Sequence, residues 1–173
     1  MTMQNHFELF HLPVSFAIDM AQLAKSYHEV QGQVHPDRFA RASETEKRVA
    51  MQWATRANEA YQTLRDPFKR AAYLCELHGV DLQTESNTAM PAAFLMQQME
   101  WREALDDARA AADESALEDL LEDVESRTRQ QLTQLESLFS SQDYVAAAQV
   151  VRQMMFLEKF GDELRNAIDR LAD

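Results

Sequence analysis

The tripeptide His35-Pro36-Asp37 is the stretch of this 173-residue sequence whose residue types are best suited to act on another molecule. Asp37 can accept paired hydrogen bonds from an arginine on a partner. His35 offers one donor and one acceptor. Pro36 fixes its own φ and removes a backbone donor, so the flanking side chains are held in a restricted display rather than wound into a helix end. Lys25 precedes the tripeptide and Arg38, Arg41, Lys47 and Arg48 follow it, a run of positive charge suited to an acidic patch on a partner. This is the chemistry of recognition. Cys75 and His78 offer a nucleophile and a base three residues apart, but Cys75 lies on an apolar helical stretch where a buried structural thiol is expected. His6, His11 and His28 lack the spacing of a zinc ligand set. No catalytic residue, metal or cofactor is therefore expected.

A second constellation emerges on a helical projection of residues 92–112 at about 100° per residue. Phe94, Trp101, Leu105, Ala108 and Ala112 fall within about 40° of one line and define a core face. Leu95, Met96, Met99, Glu100, Glu103 and Asp107 lie roughly 100–240° away. Large apolar side chains rimmed by acids on a face turned from the core suit a protein partner, and methionines adapt to a partner's shape. Phe156, on a later helix, falls nearly opposite the stripe Ala147, Val151, Met154 and Ile168, and is expected as an exposed aromatic anchor. Ordinary packing of Leu95 or Met99 against a neighbouring helix is the alternative.

These residues must be positioned by helices. Gly and Pro number only three and four, and Ala, Leu, Glu, Gln and Arg are plentiful, so an all-α protein is expected. Residues 6–12 form a short apolar segment closed by Pro13. Asp19 with Gln22 reads as a capping box, and Leu23, Tyr27, Val30 and Val34 carry the helix up to the tripeptide, where Pro36 stops it. Ser43 with Glu46 starts the antiparallel return, whose inner side is expected to be Val49, Trp53, Ala57, Ala60, Tyr61 and Leu64. Asp66-Pro67 opens a further helix bearing Phe68, Ala71, Ala72, Leu74 and Leu77, and Gly79 ends it. Residues 80–90 read as a polar linker. Helices over about 92–112, 115–139 and 143–172, the second capped by Ser115 with Glu118, predict an antiparallel three-helix bundle. The expected domains are 1–79, the linker 80–90, and 91–173.

Charge supports that division. Residues 1–78 carry nine Lys/Arg and nine Asp/Glu, whereas residues 79–173 carry eight and twenty, so the whole net charge of −12 falls in the second part. An acidic bundle argues against nucleic acid or an anionic membrane as its ligand. No apolar run reaches the roughly 18 residues of a membrane span. With one cysteine and no signal-like or transit-like leader, a cytoplasmic location is expected.

Residues 6–78 resemble a J domain. The helical hairpin, the His-Pro-Asp loop followed by Arg38-Phe39, and Asn58-x-Ala60-Tyr61-x-x-Leu64-x-Asp66-Pro67 carry the resemblance. It implies that the tripeptide stimulates ATP hydrolysis by a seventy-kilodalton-class chaperone through the latter's nucleotide-binding domain and linker. Glu29 and Gly32 depart from the usual basic second helix and point to a dedicated partner. Neither a Gly/Phe-rich linker nor Cys-x-x-Cys repeats follow. The whole chain instead is similar to the HscB family of iron–sulfur cluster assembly co-chaperones, through Arg70-Ala71-x-Tyr73-Leu74, Leu77-His78-Gly79, Ala93-Phe94-Leu95-Met96 and Phe156-Leu157-x-Lys159. That resemblance implies an HscA-type ATPase chaperone as one partner and the scaffold IscU as the other. It also implies Leu95, Met96, Met99, Glu100, Glu103, Asp107 and Phe156 as scaffold contacts. The alternative is a general J protein presenting unfolded clients to a DnaK-type chaperone, and a weaker one is a helical enzyme or metal protein.

Overall fold

Local sequence signals set the helix boundaries seen in the computed structural model, which describes residues 4–82 and 90–173. Asn5 and Glu8 form a reciprocal capping box for α1 (His6–Leu9). The Asp19 carboxylate accepts from the N–H groups of Ala21 and Gln22 and starts α2 (Met20–Val34). Gln22 does not complete the expected box; its side-chain amide donates instead to the Ser26 hydroxyl at 3.1 Å. After a 3-10 turn over Pro36–Phe39, the Ser43–Glu46 box opens α3 (Glu44–Arg65). Asp66 accepts from Phe68 N–H at 2.9 Å and opens α4 (Pro67–Leu77). The remaining helices are α5 (Ala92–Ala110), α6 (Glu114–Ser140) and α7 (Tyr144–Ala172). Among the described residues every regular element is helical, and no helix is long and apolar enough to cross a membrane.

The chain forms two compact units, Met1–Leu74 and Cys75–Asp173. In the first, α1 and α2 both pack on α3. Phe7, Phe10, Leu23, Ala57, Ala60, Leu64 and Ala71 are all fully buried. Each aromatic or leucine side chain removed from water in this way contributes about 1.5–3 kcal/mol. The inner side of α3 differs from the expected stripe: Ala50 is buried, whereas Val49 and Trp53 are 44 % and 39 % exposed. The small residues Ala50, Ala57 and Ala60 take the buried positions of α3, and Val49 and Trp53 lie beside that line, towards solvent. On α4, Cys75 is buried and Leu77 is on the surface.

In the second unit α6 and α7 share the longest interface, with α5 laid against both. Leu117, Leu135, Ala147, Val151, Met154, Phe160 and Leu164 are fully buried. The two joints of this bundle are built alike. Ala112 and Gln142 adopt left-handed backbone, at φ 49° and 61°. The next N–H, of Asp113 or Asp143, turns back to the carbonyl of Ala108 or Leu138, at 2.9 Å in both joints. The same aspartates then cap the following helix through Ala116 and Ala146 N–H. Asp113 therefore replaces Ser115 as the cap of α6, and Ala112 lies beyond the end of α5 rather than on its core face. Of the stretch expected as a linker, Asp81 and Leu82 have their carbonyls held by the Arg152 guanidinium, at 2.8 and 3.3 Å; residues 83–89 lie outside the described residues.

Candidate functional site

The first site is the bend between α2 and α3. Pro36 is the first residue of the 3-10 turn, and Arg38 N–H closes it on the His35 carbonyl at 3.0 Å. His35 Nδ1 accepts the Asp37 N–H at 3.2 Å. In the neutral ring an Nδ1 that accepts carries no proton, which leaves the N–H at Nε2. Asp37 Oδ2 lies 3.6 Å from Nδ1, and the side chains of His35 and Asp37 are 59 % and 92 % exposed. The turn therefore presents an imidazole and a carboxylate to solvent on a backbone that is already fixed.

The hairpin beneath is held by the side chains that carry the sequence signature. Tyr27 and Tyr61 stack in parallel, with centroids 4.1 Å apart. The Tyr27 hydroxyl donates to Asn58 Oδ1 at 3.1 Å and accepts from Gln31 at 2.7 Å. Ala60 and Leu64 are buried beneath, and Asp66 caps α4. Arg70 is buried as well: its guanidinium donates to the Leu64 carbonyl at 2.6 Å and lies 5.1 Å from the centroid of Phe16. Arg38 and Arg41 on the turn, and Arg48 in the first part of α3, are exposed; Lys47 is partly covered and pairs with Glu44 at 3.5 Å. Lys25 is exposed on α2 about 15 Å of helix from His35, and so stands apart from the bend.

The second site lies on α5. Phe94, Trp101, Leu105 and Ala108 point into the bundle, as the projection predicts. Leu95, Met96 and Met99 are 45 %, 62 % and 72 % exposed. Glu100, Glu103 and Asp107 are also exposed. Phe156 differs from expectation. It is half-buried, stacked on Phe160 at 5.4 Å and Trp101 at 6.4 Å, with Phe94 edge-on at 5.8 Å. A helix in a three-helix bundle has two buried flanks, and Phe156 occupies the flank of α7 that meets α5 rather than the one that meets α6. Its contacts on α5 are with Phe94 and Trp101, on the core side of that helix. Sequence reasoning missed Arg102, whose guanidinium forks onto both carboxylate oxygens of Glu163 at 3.0 and 3.3 Å. It also lies 5.8 Å and 5.5 Å from the centroids of Phe156 and Phe160. No sequence signal links partners 61 residues apart.

The pairing of Cys75 with His78 does not make a reactive site. Cys75 is fully buried, and burial pushes its thiol up to about 11. His78 instead stacks on Tyr144 at 3.8 Å. Among the described residues no group of three or more His, Cys, Asp and Glu side chains is placed to hold a metal ion.

Comparison with known proteins identifies the family of the chain. Residues 90–165 match the family described as the HSCB C-terminal oligomerisation domain. The chain is 56 % identical over 167 residues to a co-chaperone protein HscB homolog of Burkholderia multivorans, covering 96 % of this chain and 95 % of that one. The corresponding protein of Burkholderia thailandensis is 57 % identical over the same shares. Among solved structures, chaperone HscB from Vibrio cholerae superposes with a TM-score of 0.84 at 38 % identity, covering 97 % of this chain and 99 % of that one. Human co-chaperone protein HscB superposes with a TM-score of 0.87 at 29 % identity, covering 94 % and 81 %. With a J-domain hairpin, an acidic three-helix bundle and this similarity along nearly its whole length, the chain belongs to the HscB family of co-chaperones.

Proposed function

We propose that this chain is a non-enzymatic adaptor of the cytoplasm that stimulates the ATPase of an HscA-type chaperone and delivers the scaffold IscU to it. The observation that carries the reading is the fixed display of His35 and Asp37 on the turn begun by Pro36, with Arg38, Arg41 and Arg48 close in sequence. Lys25 and Lys47 would contribute more peripheral charge. Asp37 is available to a partner arginine and His35 to an acceptor through Nε2. Binding there would favour the hydrolysis-competent state of the chaperone, and nothing in this chain needs to touch ATP. The bundle, over residues 91–173, would bring the scaffold through Leu95, Met96, Met99 and Phe156. Glu100, Glu103 and Asp107 would set orientation at the rim.

The test is steady-state ATP hydrolysis by the chaperone with this protein, with and without scaffold. Stimulation should disappear with His35→Gln, and the added effect of scaffold should weaken with Met96→Ala. Stimulation by unfolded peptide but not by scaffold would instead indicate a general J protein. The description of the matched bundle family as an oligomerisation domain favours a second reading, self-association of the chain through its bundle. Sedimentation of the wild type and Met96→Ala separates the two, because only self-association through the α5 face makes the mass depend on Met96.

A further inference from the structure

We infer that Arg102, clamped by Glu163, is a positioning residue that holds Phe156 in place for the scaffold-docking face; the inference rests on the docking reading above. That face is discontinuous, with Leu95, Met96 and Met99 on α5 and Phe156 on α7. Its shape is therefore set by how α5 is fixed to α7. At the N-terminal end of α5 that fixing comes from Phe94, buried and edge-on to Phe156 at 5.8 Å. Arg102 stands one residue past Trp101 and three past Met99, and its side chain crosses to α7. There it meets three residues on one flank: Phe156, Phe160 and Glu163. Nη1 donates to Oε2 at 3.0 Å and Nη2 to Oε1 at 3.3 Å. The guanidinium also lies over the paired rings, 5.8 and 5.5 Å from their centroids. Phe156 is thus enclosed by Phe94, Trp101, Phe160 and a cation.

The chemistry is specific to arginine. A planar, delocalised cation can fork onto a carboxylate and cover an aromatic face at once, whereas a lysine ammonium provides one compact charge. The pair is also only partly wet, with side-chain exposures of 48 % for Arg102 and 29 % for Glu163, so it is screened less than an open surface pair. Arg102 in this role acts through Phe156, and the scaffold does not have to touch it.

The experiment uses the full chain in a Trp53→Phe background, which leaves Trp101 as the sole indole of the two in the sequence. Scaffold affinity and acrylamide quenching of Trp101 emission are measured for Arg102→Lys, Glu163→Gln and Met96→Ala. Arg102→Lys and Glu163→Gln should each weaken scaffold binding about fivefold to tenfold and raise Trp101 quenching, although the first keeps the positive charge and the second frees it. Met96→Ala should weaken binding with quenching unchanged. Wild-type affinity in Arg102→Lys would mean that charge alone matters and would overturn the positioning role, as would unchanged quenching in both clamp variants. If Met96→Ala leaves scaffold binding intact, the docking reading fails, and the Trp101 signal still decides whether the clamp holds the ring cluster.

Discussion

Met96→Ala separates docking from folding, because most of the side chain it removes is on the surface. The Met96 side chain is 62 % exposed, so folding has already buried little more than a third of it. Full burial of such a side chain contributes about 1.5–3 kcal/mol. Truncation should therefore lower bundle stability by about 0.5–1 kcal/mol, seen as a fall of a few degrees in the thermal midpoint. The exposed remainder is what a partner would cover, about 1–2 kcal/mol, or a fivefold to thirtyfold rise in Kd. Phe156→Ala lacks this separation. It removes a ring already packed on Trp101 and Phe160 and would cost about 2 kcal/mol or more of bundle stability. Calorimetric titration of scaffold into wild type and Met96→Ala, beside circular-dichroism melts of both, gives the two numbers. An affinity unchanged within twofold in a folded Met96→Ala would refute the assignment of this face.

Three further outcomes follow from particular residues. Gly161→Ala should be neutral to stabilising by up to about 1 kcal/mol in denaturant unfolding: the helix gains propensity, and the added methyl meets only the Arg165 side chain, nearest at 3.3 Å. Arg165 also pairs with Glu125 at 3.3 Å, and a loss above that size would mean that its side chain cannot yield without breaking that pair. His6 is half-buried and stacked on Tyr73 at 4.3 Å, and burial, followed by the charge of Arg56, pulls its pKa below 6.5. The unfolded chain then binds the proton more readily, so stability of the first unit should fall as pH drops through 6.5 and level off above it; melts of His6→Phe should show a shallower fall. With its thiol at about 11, Cys75 should be about one part in a thousand thiolate at pH 8 and resist iodoacetamide until the chain is unfolded. Rapid labelling of the native protein, followed by mass spectrometry, would contradict the burial.

Helix positions, and the exposure of the side chains at the bend and on the outer face of α5, were largely legible in the sequence because local physics dictates them. Pro36 had to stop α2, Ser43 with Glu46 had to start α3, and the projection of α5 separated Phe94 and Trp101 from Leu95 and Met96. The errors occurred where a second element intervened. Ser115 looked like a cap, but left-handed Ala112 brings Asp113 to the helix start first. A projection of α7 alone sees one buried flank, and Phe156 lies on the other. Val49 and Trp53 look like core by hydrophobicity, yet Ala50 faces inward, because packing between the helices of the first unit favours small residues. The Arg102–Glu163 fork and the partly buried Gln131–Gln153 hydrogen bond at 2.8 Å depend on tertiary register and leave no local trace.

The matched joints after α5 and α6 constrain how such a protein can change. Each uses one residue's N–H to close a helix and the same residue's side chain to open the next, leaving almost no slack backbone. Lengthening either joint would sever a stop and a start together. Loops of this kind are poor places to acquire new binding determinants, and recognition is left to the helix flanks. There, substitutions at positions three and four apart can retune a partner without altering the length of the chain. Specificity in such a bundle can drift one side chain at a time while the frame stays fixed.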